Sequence, residues 1–183
     1  NIMVPIFPKS EVDKYIENQI ANDADLLRTF ETNFHNQEEA LSIIISAKKH
    51  AEKHSMISNV IFWNAAGFIS MSSFDLKIIV KEMNFSTNEW AKRYFARQAC
   101  QLIYELTNDL FEILNKDFEK EIAKLTNNET IKTSLKNIRR ELNQFKEIYF
   151  TKLKEIRNIA SAHRDKDIFL QLEIIESISW TET

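Results

Sequence analysis

Hydrophobic residues recur every three or four positions along most of this 183-residue chain, the period of a helix buried on one face. The opening "NIMVPIFPKS" holds both prolines and predicts an extended lead-in over residues 1–9, with Ser10 as an N-cap. A first helix is expected from Glu11 to Phe34, marked by Val12, Ile16, Ile20, Leu27 and Phe30. "HNQEEA" predicts a turn there, capped by Asn36 with Glu38 and Glu39 in the following first turn. Leu41, Ile44, Ile45, Lys48 and Ala51 then resume the helical spacing up to a break in "KHSMISN".

The next run, from Asn59 to Asn84, is apolar nearly all round and predicts a central, buried helix, with Ser72 and Ser73 marking a kink or a new start. "FSTNEW" restarts the pattern, with Thr87 as cap and Glu89 in the first turn. From there Phe95, Ala99, Leu102, Leu106, Leu110, Ile113, Phe118, Ile122 and Leu125 form one long stripe. "TNNET" is a turn. Ile131, Leu135, Ile138, Leu142, Phe145, Tyr149, Leu153, Ile156 and Ala160 form a second stripe, so two long amphipathic helices should pack antiparallel. After residue 163, Ile168, Leu172 and Ile175 fit a helix, whereas Ile168, Leu170, Leu172 and Ile174 alternate as in a strand. With no partner strand in view, helix is the expectation.

Composition narrows the fold class further. One glycine and two prolines in 183 residues are too few for the tight turns of sandwiches, barrels or doubly wound sheets. A single all-α domain over residues 1–183, an antiparallel helical bundle, is expected. Gly67 alone excludes a glycine-rich phosphate loop. Cys100 is the sole cysteine, which rules out an intrachain disulfide and a cysteine zinc site and suits a reducing cytoplasmic setting. No apolar run reaches membrane-spanning length and no signal peptide opens the chain, so no membrane association is expected.

Charge is unevenly spread. The net charge is -3, yet residues 131–166 carry ten Lys or Arg against four Asp or Glu. A basic end on an acidic body suits a phosphate-bearing partner.

Within that basic end stands "EIRNIASAHRDKD", residues 155–167. The buried stripe passes through Ile156 and Ala160, which sets Arg157 and Asn158 beside it. On an unbroken α-helix Arg157 and His163 would lie about 9 Å apart along the axis and about 120° apart around it. Two arrangements bring them into one site: the helix ends near Ala160 with Ser161 capping the next, or two copies each contribute residues. Imidazole exchanges protons near neutral pH, and guanidinium offers a fork of donors to phosphate oxygens; Asn158 can orient either group. Neither role needs a metal or any other cofactor.

"RNIASAH" resembles the signature of HEPN domains, small all-helical bundles whose motif is an arginine, usually followed by a polar residue, and then a histidine after four to six intervening residues. Arg157, Asn158 and His163 match it, late in the chain as in that family, and "IRN…AHRD" is similar to HEPN members associated with phage abortive infection. The resemblance implies a metal-independent endoribonuclease acting as a homodimer in a defence or toxin–antitoxin setting, with an antitoxin or defence-system partner. It implies Arg157 and His163 as catalytic, Asn158 as supporting, and the neighbouring Arg164 and Lys154 as substrate-binding. The alternative is a non-catalytic interaction or RNA-binding module in which Arg157 and His163 serve assembly.

Other constellations read more simply. His50 and His54 share a helix face, but "HAEKH" lacks the glutamate a zinc-protease helix places after its first histidine, so a solvated face is expected, as for His35 in its turn. Trp63, Trp90, Tyr94 and Phe95 have the chemistry for base stacking, but at helical spacing they are expected in the core. Cys100 is expected buried, and Asp165 and Asp167 to serve as first-turn acids.

Overall fold

The computed structural model describes Lys14 and residues 24–126, 129–161 and 166–178. Its elements are α1 (Ala24–Lys53), α2 (Ile57–Phe85), α3 (Glu89–Ile113), α4 (Lys116–Leu125), α5 (Glu129–Ile156), a π-helical turn (Arg157–Ser161) and α6 (Ile168–Glu176). No strand occurs among the described residues, in accord with the all-α expectation. The lead-in over 1–9, the Ser10 cap and the predicted helix between residues 11 and 23, Lys14 apart, lie outside the described residues, as do Asn127 and Asn128 of the "TNNET" turn.

Several boundaries differ from the pattern. The turn at "HNQEEA" does not form, because α1 runs through it; Gln, Glu and Ala favour helix, and Gln37 donates to the backbone carbonyl and hydroxyl of Ser70 on α2 (2.9 and 2.6 Å). His35 is therefore helical, 3.4 Å from the Glu39 carboxylate and exposed. The break at "KHSMISN" does form. Met56 N–H bonds Ala51 O and Ser55 N–H bonds Glu52 O, a Schellman ending with Ser55 at φ 55°. That left-handed position is one glycine normally fills.

Helix α2 runs unbroken past Ser72 and Ser73, and only one stripe of it, through Ala65, Ser72 and Met83, is buried. Ile57, Ile69 and Met71 are exposed, so this helix is apolar nearly all round without being buried all round. Helix α3 is capped by Asn88, whose Oδ1 accepts from Ala91 N–H (3.1 Å), and not by Thr87. The long stripe to Leu125 is two helices. Asn115 Oδ1 accepts from Asp117 and Phe118 N–H (2.8 and 2.9 Å), starting α4 afresh and swinging Phe118 and Ile122 into the core.

The described residues sort into two compact units, each built from separated stretches of chain. One draws on residues 33–75 and 103–151, the other on 1–32, 76–102 and 152–183. In the first, Ala65, Leu114, Phe118 and Ile122 form a buried cluster against Ile61, Leu110, Ile113, Leu135 and Leu142. Here α3 and α5 run antiparallel, as expected: Arg139 reaches Leu114, Lys146 reaches Asn108, and Phe150 stacks on Tyr104 with ring centres 4.5 Å apart. Arg139 closes the break between α3 and α4. Its Nε donates to Leu114 O (2.8 Å), Nη2 to Asn115 O (2.6 Å) and Nη1 to Glu119 (2.6 Å).

The second unit buries Met83 of α2, Ala96, Ala99 and Cys100 of α3, Leu153 and Ile156 of α5, Ala160, and Ile174, Ile175 and Ile178 at the far end. Helix α6 resolves the helix-or-strand ambiguity in favour of helix. Its cap is Asp167, accepting from Phe169 and Leu170 N–H (2.9 and 3.3 Å). Asp165, like the side chain of Ser161 expected as a cap, lies outside the described residues.

Two substitutions test these local readings. Gly67 sits mid-helix, and a β-carbon there would meet Ile44 Cγ2 at 3.4 Å, an ordinary contact. Gly67→Ala should stabilise by about 0.5–1 kcal/mol. Ser55→Gly should relieve the left-handed strain for a gain of about 1 kcal/mol. Thermal unfolding followed by circular dichroism should show each melting roughly 2–4 °C higher per kcal/mol. A lower Tm for Ser55→Gly would contradict the Schellman ending.

Candidate nucleic-acid site

Arg157 and Asn158 open the π-helical turn that follows Ile156. A π turn spreads its residues more widely around the axis than an α turn, and such turns are concentrated at functional positions. Ile156 and Ala160 are both buried, at 4% and 1% exposure, and anchor the turn on its inner side. Arg157, Asn158 and Ile159 between them are half-buried. The two polar side chains are brought together: Arg157 Nη1 donates to Asn158 Oδ1 at 3.1 Å. Asn158 thus orients the guanidinium. Lys154, on the last turn of α5 and three residues before Arg157, is exposed. His163 and Arg164 lie outside the described residues.

The turn is held from α3. Arg97, at 4% exposure, donates from Nη1 to Ala160 O at 3.0 Å and from Nε to Arg93 O at 3.3 Å. One turn earlier, Arg93 donates from Nη1 to Ile175, Glu176 and Ile178 carbonyls at 3.1, 3.2 and 2.7 Å. Arg93 also sits 3.8 Å from Glu89 in a buried ion pair. Helix α6 packs against the π turn, and Lys152 ties the two ends by reaching Glu155 (3.2 Å) and Ser177 Oγ (3.1 Å). Burying guanidinium groups is costly unless carbonyls or carboxylates receive their protons, and those acceptors are supplied by the chain termini of the turn and of α6.

Trp90 and Tyr94 do not behave as core. They are 45% and 42% exposed, one turn apart on α3, with the Arg97 guanidinium carbon 5.6 and 5.7 Å from their ring centres. Trp63 and Phe95 are half-buried, Phe95 edge-on to Tyr94 at 5.4 Å. The spelling "WAKRYFAR" carried the signal: aromatics at 90 and 94 interleave with arginines at 93 and 97, an i, i+4 ladder of each kind on one side of α3. Cys100 is buried, as expected.

The histidine pair is exposed, with the rings of His50 and His54 4.4 Å apart, and no group of three or more metal-ligating side chains occurs among the described residues. No helix among the described residues is long and apolar enough to cross a membrane. No protein-family model, curated protein or solved structure matches this chain.

Arg97 is the strongest test of this geometry. Arg97→Met keeps the bulk but leaves Ala160 O without that donor, and should cost about 1–3 kcal/mol in thermal or urea unfolding. Arg97→Lys, which retains one charged donor, should cost less. Equal melting of Arg97→Met and the wild type would remove the bond from the account.

Proposed function

We propose that the chain is a HEPN-like, metal-independent endoribonuclease, cytoplasmic, acting as a homodimer in a phage-defence or toxin–antitoxin setting. The observation that carries the reading is the Arg157–Asn158 pair at 3.1 Å on a half-buried π turn, opening an arginine–polar–x4–histidine sequence. A guanidinium matches phosphodiester oxygens with a fork of donors, and Asn158 helps to orient this one. The local surplus of basic residues and exposed Lys154 support an RNA partner.

In this reading the ribose 2′-hydroxyl attacks the adjacent phosphorus and gives its proton to His163. The bond from phosphorus to the 5′-oxygen breaks, and that oxygen takes a proton from the second copy's imidazole. Arg157 balances the charge that grows on the phosphoryl oxygens, with Arg164 and Lys154 holding flanking phosphates. The products carry a 2′,3′-cyclic phosphate and a 5′-hydroxyl. No resident cofactor takes part.

Cleavage of single-stranded RNA in EDTA tests this. The wild type should cut and leave cyclic phosphate ends, while Arg157→Ala and His163→Ala should each lose roughly 10²–10⁴ in rate. Equal cutting by all three, or dependence on added metal, would overturn it. A wild type that does not cut, with variants that melt lower or dissociate, would assign the motif to assembly instead.

A further inference from the structure

The nuclease reading accounts for phosphate and proton but leaves the bases of the RNA without a contact. The described part of the second unit offers one. Trp90 and Tyr94 stand one turn apart on α3, each exposing nearly half its surface, although large aromatic side chains at helical spacing ordinarily seek the core. Their inner sides meet the buried guanidinium of Arg97, and that same guanidinium holds the Ala160 carbonyl, three residues from Arg157. A single buried side chain therefore connects the exposed rings to the turn that bears the phosphate-binding arginine.

We propose that Trp90 and Tyr94 form a stacking shelf for the bases of single-stranded RNA beside the Arg157 turn. This rests on the ribonuclease reading for its ligand. Aromatic faces accept any base, so the shelf binds without reading sequence. Both rings are pinned by one guanidinium within cation–π range, so the entropy of ordering them has been met before a base arrives. The partner's charge is matched as well. Lys154 is exposed in the same unit and Arg157 half-exposed, giving cationic contacts for a backbone whose bases turn toward the rings.

The test separates the shelf from the chemistry. Binding of a short 2′-O-methyl RNA, which cannot be cleaved, is measured by fluorescence anisotropy across a salt series for the wild type and for Trp90→Ala, Tyr94→Ala, Trp90→Phe and Lys154→Ala. Each aromatic-to-alanine change should weaken binding roughly 5- to 150-fold, the range for loss of one base stack, with the slope against salt unchanged. Trp90→Phe should retain most of the affinity. Lys154→Ala should reduce the salt slope by about one ion instead. An oligomer with abasic sites should bind the wild type as weakly as the alanine variants bind the intact RNA. Unchanged affinity in both alanine variants, an abasic oligomer bound as tightly as the intact one, or a wild type that binds no RNA, would overturn the shelf. Cleavage by a wild type whose affinity ignores both rings leaves the nuclease and removes the shelf; binding that depends on the rings without any cleavage does the reverse.

Discussion

Arginine side chains that end helices are the constraint on which the other features rest. A helix leaves its last carbonyls without partners inside the helix, and the common remedy is a glycine in the left-handed conformation just beyond. This chain has one glycine, and it lies in the middle of α2. One helix end makes do with Ser55. At others the donors come from a neighbouring helix: Arg139 serves Leu114 and Asn115, Arg97 serves Ala160, and Arg93 serves three carbonyls at the end of α6. A guanidinium suits this work because its fork reaches several oxygens at once and its charge complements the negative end of the helix dipole.

That arrangement explains why the Arg157 turn has a defined shape. The turn departs from α geometry, yet Ile156 and Ala160 stay buried and Ala160 O has a donor from across the unit. Between those two anchors Arg157 donates to Asn158. The same guanidinium lies within cation–π range of the aromatic pair on α3, so one residue touches both the turn and the exposed rings.

What could be read from the chain alone divides by range. Helical period located α3 and α5 and their antiparallel pairing, because each stripe is written in residues three and four apart; at α6 the pattern fitted helix and strand alike, and the lack of a partner strand decided it. Capping chemistry at Asn115 was written in "NKDFE" but hidden beneath an apolar stripe that continues through it. The polar run at "HNQEEA" misled for the opposite reason: its residues look like a turn but are good helix formers, and Gln37 finds its partner on another helix. The roles of Arg93 and Arg97 depend on acceptors 63 to 85 positions away in sequence, which local pattern does not carry, whereas the interleaving of Trp90 and Tyr94 with those arginines is local. Arg157 and Asn158 were legible as a pair; the π turn under them was not.

The reach of Arg93 also orders events in time. Its three acceptors, in residues 175–178, are translated more than eighty residues after it, whereas the other unit is complete once residue 151 has been made. The donor on α3 is therefore made well before the carbonyls it serves, and that end of the fold closes only once residues 175–178 have been synthesised. The turn bearing Arg157 lies in the same unit as those late acceptors, and it packs against the helix that carries them.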